Sequence, residues 1–437
     1  MDTYGWDVVV ACAVERLNAL LKLQFTSTPA TLSYSDPSSQ TTLQATFDPW
    51  RIVAGGSDRK LHIEMPIKTG SLDSPFVSAK LDGVVVLASV ELDFVSNAAG
   101  TASNLTFNFS SVASQAGDPT KGSIYIVNPD TSGVLLKQDP TKTAATALHD
   151  FIPLCLIASK ASLNYVFTTL NLTPAGAGSW LTPHSPAYVF VAGSGGTAGY
   201  LAVLSMVSAA AAVPSARDVD PGLCTANSDI AIAYAGPVFL QNVIMGQLPS
   251  SFTGAIAQNF QMSGGKINNN GPLLCKPVRW GLTDYTPVLV SMVVGISASN
   301  ITSAATGIFD ITGLKDSYVT FSASVSLSCS YDAASGKLSL TPTAAPVTNH
   351  DTHIPWWIYV LAAPAMLTVA GPIVIVIVDA VIGGVTASVS NSVSNNAGNL
   401  ALGDWSAQAI VFPGADKWSV TEAALSDAFY MRCNLHS

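Results

Sequence analysis

The sequence predicts an α+β protein in which long antiparallel sheets pack against a few apolar helices. Three observations carry this. Runs in which apolar and polar residues alternate recur along most of the 437 residues, and that period belongs to strands with one buried face. A few other segments place apolar residues three and four apart, the spacing of a helix. Charged residues make up only 11% of the chain, against about 25% in ordinary globular proteins, and the mean hydropathy is +0.39. Because the apolar excess is spread over many short segments, it implies a large enclosed apolar interior rather than a set of membrane spans.

At the N-terminus Asp2 or Thr3 can cap a helix, and Trp6, Val9, Val10, Ala13, Leu17, Leu20 and Leu21 then fall on one stripe. The helix is expected to end before Pro29. Beyond it the period becomes two. Leu61, Ile63 and Met65 alternate with His62 and Glu64, and Val86, Ala88, Val90 and Leu92, then Leu105, Phe107 and Phe109, repeat the pattern. The segments SDPSSQ, GGSDRK and NAAGTASN separate these runs as polar turns, giving an antiparallel meander. A second helix is expected in TAATALHDFIPLCLIASKASL, residues 143–163, where Pro153 either kinks it or marks its start. Strand-like runs follow in NYVFTTLNL, AYVFVAG and SDIAIAYAG. The most regular run is 318–331, where Val319, Phe321, Ala323, Val325, Leu327 and Cys329 alternate with Thr320 and five serines. A strand of that length belongs in a long curved sheet, and the chain is expected to turn back from it into KLSLTP. The linker-like AVPSARDVDPG divides two similar halves, 1–215 and 216–437.

The stretch 354–378, IPWWIYVLAAPAMLTVAGPIVIVIV, is long enough to cross a bilayer. Pro355, Pro364 and Pro372 interrupt it, its end is β-branched, and no Lys or Arg lies between Lys337 and Lys417 to anchor it. It is therefore read as an internal element: a loop through Trp356 and Trp357 leading to an apolar helix near 362–388, packed on the second sheet.

Composition excludes several functions. With a net charge of −9 and no Lys/Arg cluster, the chain lacks a surface to track a phosphate backbone, so nucleic acid is not an expected partner. Asp2, Asp7, Glu15 and Arg16 stand where a secretory signal needs basic and then apolar residues, which predicts cytoplasmic synthesis and any release by a route without a signal peptide. The six cysteines are far apart and read as scattered thiols. The glycines of VAGSGGTAG lack dinucleotide-binding spacing and read as a hairpin. HDTH at 350–353 has a metal-like pair but no third ligand, and reads as a polar loop capping the apolar stretch. Neither a GxSxG nor an HExxH motif occurs, so no catalytic activity, metal or cofactor is expected.

The opening TYGWDVVVACAVERLNALL at 3–21 resembles the forty-seven-kilodalton protein and OrfX family encoded in clostridial neurotoxin clusters. LNYVFTTLNL at 163–172, WLTPHSPAYVFV at 180–191, DIAIAYAGPVFLQNVIMGQLP at 229–249 and ADKWSVTEAALSDAFYMRCNL at 415–435 carry the same resemblance. It implies the tubular lipid-binding (TULIP) superfamily, with elongated, highly curved sheets rolled around long helices. It also implies a lipid or other amphiphile as ligand, such as a fatty acid, with transient contact to a membrane surface and toxin-cluster proteins as companions. The lining candidates are Trp6, Val9, Val10, Ala13, Leu17 and Leu20 in the first half, and Trp356, Trp357, Leu367 and Ile373 in the second. The alternative is a scaffolding protein whose core is filled by side chains and which binds partner proteins.

Overall fold

The computed structural model describes residues 1–174, 176–193, 199–225, 227–280, 282–333, 337–355, positions within 376–387, 409–413 and 417–436. Antiparallel sheet dominates, with 49% strand and 19% helix, and a curled, half-barrel sheet is present. The sheet-rich part of the expected fold is present; among the described residues Val14–Ser27 and Thr143–Ala158 are helices of 14 and 16 residues. A six-stranded sheet has the order His184–Val191, Tyr200–Met206, Val8–Ala13, Ile230–Tyr234, Ala428–His436, Lys417–Ser426. By contacts the chain falls into two compact units. One comprises Tyr4–Ile232, Asp404–Ser419 and Arg432–Ser437; the other comprises Met1–Thr3, Ala233–Gly403 and Val420–Met431.

In the first unit the N-terminal expectation needs correction. Val8–Ala13 is a strand, and the helix begins only at Val14. Trp6, Val9, Val10 and Ala13 therefore do not share a helical stripe with Leu17 and Leu20. The strand lies inside the six-stranded sheet and residues 8–12 are all buried. A strand covered on both faces shows no alternation, so VVVACA carries no period-two signal, and its β-branched valines were the better guide. Further along, Thr143–Ala158 starts where the Asp139 carboxylate accepts from the Ala144 amide at 2.8 Å, leaving Pro153 inside the helix rather than at its start.

The largest sheet contains the consecutive neighbours Arg51–Ser57, Lys60–Asp73, Val85–Ser96, Ala102–Asn108 and Val166–Asn171. Laid flat, four strand spacings would separate the outer two by roughly 19 Å. The Val14–Ser27 helix touches both, so this part of the sheet curls about it. Two carboxamides fasten the helix to the open strand edges. Asn18 donates to the Ile52 carbonyl at 2.9 Å and accepts from the Ile52 amide at 2.8 Å. Gln24 does the same to Val166, at 2.8 and 2.9 Å. Each side chain replaces the amide of a missing strand and satisfies backbone groups that would otherwise be lost on burial. Asn18→Ala is expected to cost about 1–3 kcal/mol by stranding both Ile52 groups, measurable as a lower denaturant midpoint with an unchanged m-value.

In the second unit, Tyr318–Asp332 is the long alternating strand expected from the sequence. Its register with Asn300–Asp310 places Ser303, Ala305 and Gly307 opposite Val325, Ala323 and Phe321. The Phe321 ring covers Gly307, whose missing Cβ would lie 2.3 Å from that ring. On its other side Lys337–Pro342 pairs with Leu327–Asp332, leaving Tyr318–Ser324 without a partner from that hairpin. Val347–His353 fills the vacancy. HDTH is thus strand rather than loop. His350 lies opposite Phe321, and the His353 ring stacks on Tyr318 at 4.7 Å. His184–Val191 and Tyr200–Met206 pair antiparallel, and the glycine-rich segment read as a hairpin lies largely outside the described residues.

Candidate functional site

The lining candidates of the first unit occupy separate surroundings. Trp6 is buried and its indole donates to the Ala216 carbonyl at 2.8 Å. Val9 and Val10 sit in the six-stranded sheet, and Ala13 is half-buried beside Glu15, Arg16 and Asp229 at the mouth of a polar pocket. Leu17 and Leu20 are buried on the helix. Trp356, Trp357, Leu367 and Ile373 lie outside the described residues.

Around the helix the interior is filled by rings. Phe25 stacks on Tyr165 at 3.9 Å, Trp50 meets Phe47 edge-on at 5.6 Å and Phe107 at 5.5 Å, and Phe107 meets Phe167 at 5.0 Å. The Trp50 indole N–H has no acceptor among the described residues, so packing alone holds this ring. On the opposite face of the sheet lies a polar network that sequence reasoning missed. Glu91, 1% exposed, receives the Lys60 ammonium at 3.1 Å and the Gly122 amide at 2.9 Å. Lys60 also donates to Ser123 Oγ at 2.8 Å. Glu91 alternates with Val90 and Leu92 on the other face of its strand, and the segment carrying Gly122 and Ser123 covers that face.

The second unit contains a cavity of about 270 Å³. Phe252, Cys275, Pro277 and Val278 form one wall, and Ala380, Val381, Gly384 and Ala387 another, with Ser250, Ser251 and Lys276 completing the lining. The first wall is fixed by backbone: Phe252 and Cys275 form an antiparallel bridge, and the Cys275 amide donates to the Pro287 carbonyl at 2.8 Å. The described residues within 376–387 are helical, with Ile377 and Val381 buried one turn apart. The rest of the apolar helix expected near 362–388 lies outside the described residues. The helix is close to the cavity yet leaves it open because small residues face it; a Cβ added to Gly384 would meet nothing within 4 Å. Lys276 is exposed, whereas Cys275 is buried and its thiol is pushed up to about 11 by desolvation. A thiol held neutral in this way is a weak nucleophile. Among the described residues no group of three potential metal ligands occurs, and no helix is long and apolar enough to cross a membrane. The cavity lining thus combines apolar side chains, two serines and one cationic side chain with a thiol held neutral.

These features define a β-rich protein with a small cavity of mixed apolar and polar lining in its second unit. The chain belongs to the OrfX-like family, whose model, described as Protein OrfX2/OrfX3/P47, matches residues 3–413. Among curated relatives, Protein P47 of Clostridium botulinum (strain Kyoto / Type A2) is 27% identical over 246 residues. That alignment spans 56% of each chain, so the match extends over little more than half of the relative. The solved structure of P47 from Clostridium botulinum A2 superimposes with a TM-score of 0.79 at 23% identity, covering 99% of this chain and 98% of the other. That of P47 from Clostridium botulinum E1 gives 0.74 at 19% identity, covering 99% and 100%. At these identities the structures establish the shared fold.

Proposed function

We propose that this chain is a non-enzymatic accessory protein of a toxin gene cluster that binds one single-chain amphiphile, in the manner of the TULIP superfamily. The cavity beneath Gly384 carries the reading, because it sets the apolar side chains Phe252, Pro277, Val278 and Val381 beside the polar Ser250 and Ser251, and Lys276 offers a charge to an anionic head group. Its volume of about 270 Å³ sits just under the roughly 300–1,000 Å³ of ordinary small-ligand sites. One acyl chain fits that scale better than a diacyl lipid.

Calorimetric titration of delipidated protein with dodecanoate tests the reading. A saturable one-to-one isotherm is expected. Gly384→Leu should weaken it at least about tenfold, since excluding two methylene groups forfeits about 1.6 kcal/mol. The variant should remain folded, because leucine is the better helix former and its Cβ enters open space. No heat of binding with the wild-type chain would reject the proposal.

A second reading is favoured by the ring-filled interior around Trp50. On that reading the first unit is a scaffold with a closed core and recognises companion proteins of the cluster by its surface. Capture of such companions by a protein that takes up no dodecanoate would support it.

A further inference from the structure

The chain that lines the cavity continues from Lys276, Pro277 and Val278 directly into a two-stranded hairpin, Val278–Trp280 with Thr283–Tyr285. Its register pairs Val278 with Tyr285, Arg279 with Asp284, and Trp280 with Thr283. In an antiparallel pair, opposed residues share a face. One face therefore carries Val278, Trp280, Thr283 and Tyr285, and the other carries the charged pair Arg279 and Asp284. At the tip stands Leu282, 94% exposed and the most exposed of the large apolar residues described. Trp280, half-buried, stands next below it, exposed Arg279 follows in the middle of the ribbon, and exposed Lys276 precedes its base.

A leucine at the end of a two-stranded ribbon contributes nothing to a core. Ile256, Leu274 and Val290, also exposed, come from the same stretch of chain, and Leu274 precedes the cavity residue Cys275. An apolar tip above an indole and then cations is the order in which a bilayer offers hydrocarbon, interface and anionic phosphate. We propose that the Val278–Tyr285 hairpin is a membrane-docking wedge, with Leu282 entering the acyl region of an anionic bilayer and Lys276 and Arg279 at the phosphates. Asp284 opposes this charge and limits the contact to a transient one. The wedge rests on the amphiphile-binding reading in one respect: it gives the adjoining cavity a surface from which to load.

Flotation of the full chain with vesicles of phosphatidylcholine, alone or with phosphatidylglycerol, tests this. Binding to the anionic vesicles is expected, with roughly tenfold or greater loss for Leu282→Asp. Lys276→Glu is expected to weaken it about fivefold or more at low salt. Dodecanoate titration of Leu282→Asp should match wild type, so a failed wedge and a failed cavity give different results. Equal flotation of wild type and Leu282→Asp would overturn the proposal, as would wild-type protein that floats with neither vesicle. Because Leu282 is exposed, melting temperatures of the variant and wild type should agree, and a variant that floats poorly yet melts normally supports the wedge.

Discussion

Replacing Glu91 by alanine is expected to lower the unfolding free energy by about 3–5 kcal/mol. The carboxylate is 1% exposed and holds the Lys60 ammonium at 3.1 Å and the Gly122 amide at 2.9 Å. Arg59 lies 4.0 Å away. Truncation leaves a largely buried cation without its counter-charge and an amide without its acceptor, and both losses exceed the worth of the pair itself. The double variant Glu91→Leu, Lys60→Met removes both charges together and should recover much of that loss. Urea unfolding of the four proteins in the cycle gives the coupling directly. A Glu91→Ala cost below about 1 kcal/mol would mean that water reaches this face of the sheet.

Trp50→Ala is the second large effect, with an expected cost of about 3–5 kcal/mol. Trp50 is buried against Phe25, Phe47, Phe107, Phe109 and Tyr165, at ring separations of 5.4 to 6.4 Å. In a close-packed interior the neighbours collapse only partly into the space an indole leaves, so a cavity penalty adds to the lost burial. The experiment also separates two functional readings of the first unit. An open lipid tube already tolerates missing volume, and there the substitution would cost little. A large cost assigns Leu17, Leu20 and the rings to a filled core and leaves the second unit as the place for an amphiphile.

What the sequence disclosed depended on whether each element had one covered face or two. Residues 318–331 and the run Leu61, Ile63, Met65 lie on strands with alternating burial, and alternation in sequence translated directly into strand. Val8–Ala13 is covered on both faces, so its valines fell by accident at spacings of three and four with Leu17 and Leu20 and imitated a helix. HDTH became a strand for a nonlocal reason: Tyr318–Asp332 extends beyond its hairpin partner and offers seven residues another edge. Glu91 was illegible because a carboxylate on the polar phase of a strand looks solvent-facing until another segment folds over it. The family was legible, since the strings at 3–21, 163–172, 229–249 and 415–435 resembled it before any fold was known, and the family model spans residues 3–413. Gly384 and Lys276, which line the cavity, carried no signal, because a cavity arises from what small residues leave unfilled between distant segments.

The proposed function requires the cavity at Gly384 to hold one single-chain amphiphile. Native mass spectrometry of protein purified without detergent, wild type beside Gly384→Leu, tests this most directly. The wild-type chain should carry a single adduct of single-chain amphiphile mass, released on gentle activation, and Gly384→Leu should carry none. A wild-type protein that retains no adduct after incubation with excess dodecanoate, or an adduct equally abundant on Gly384→Leu, would contradict it.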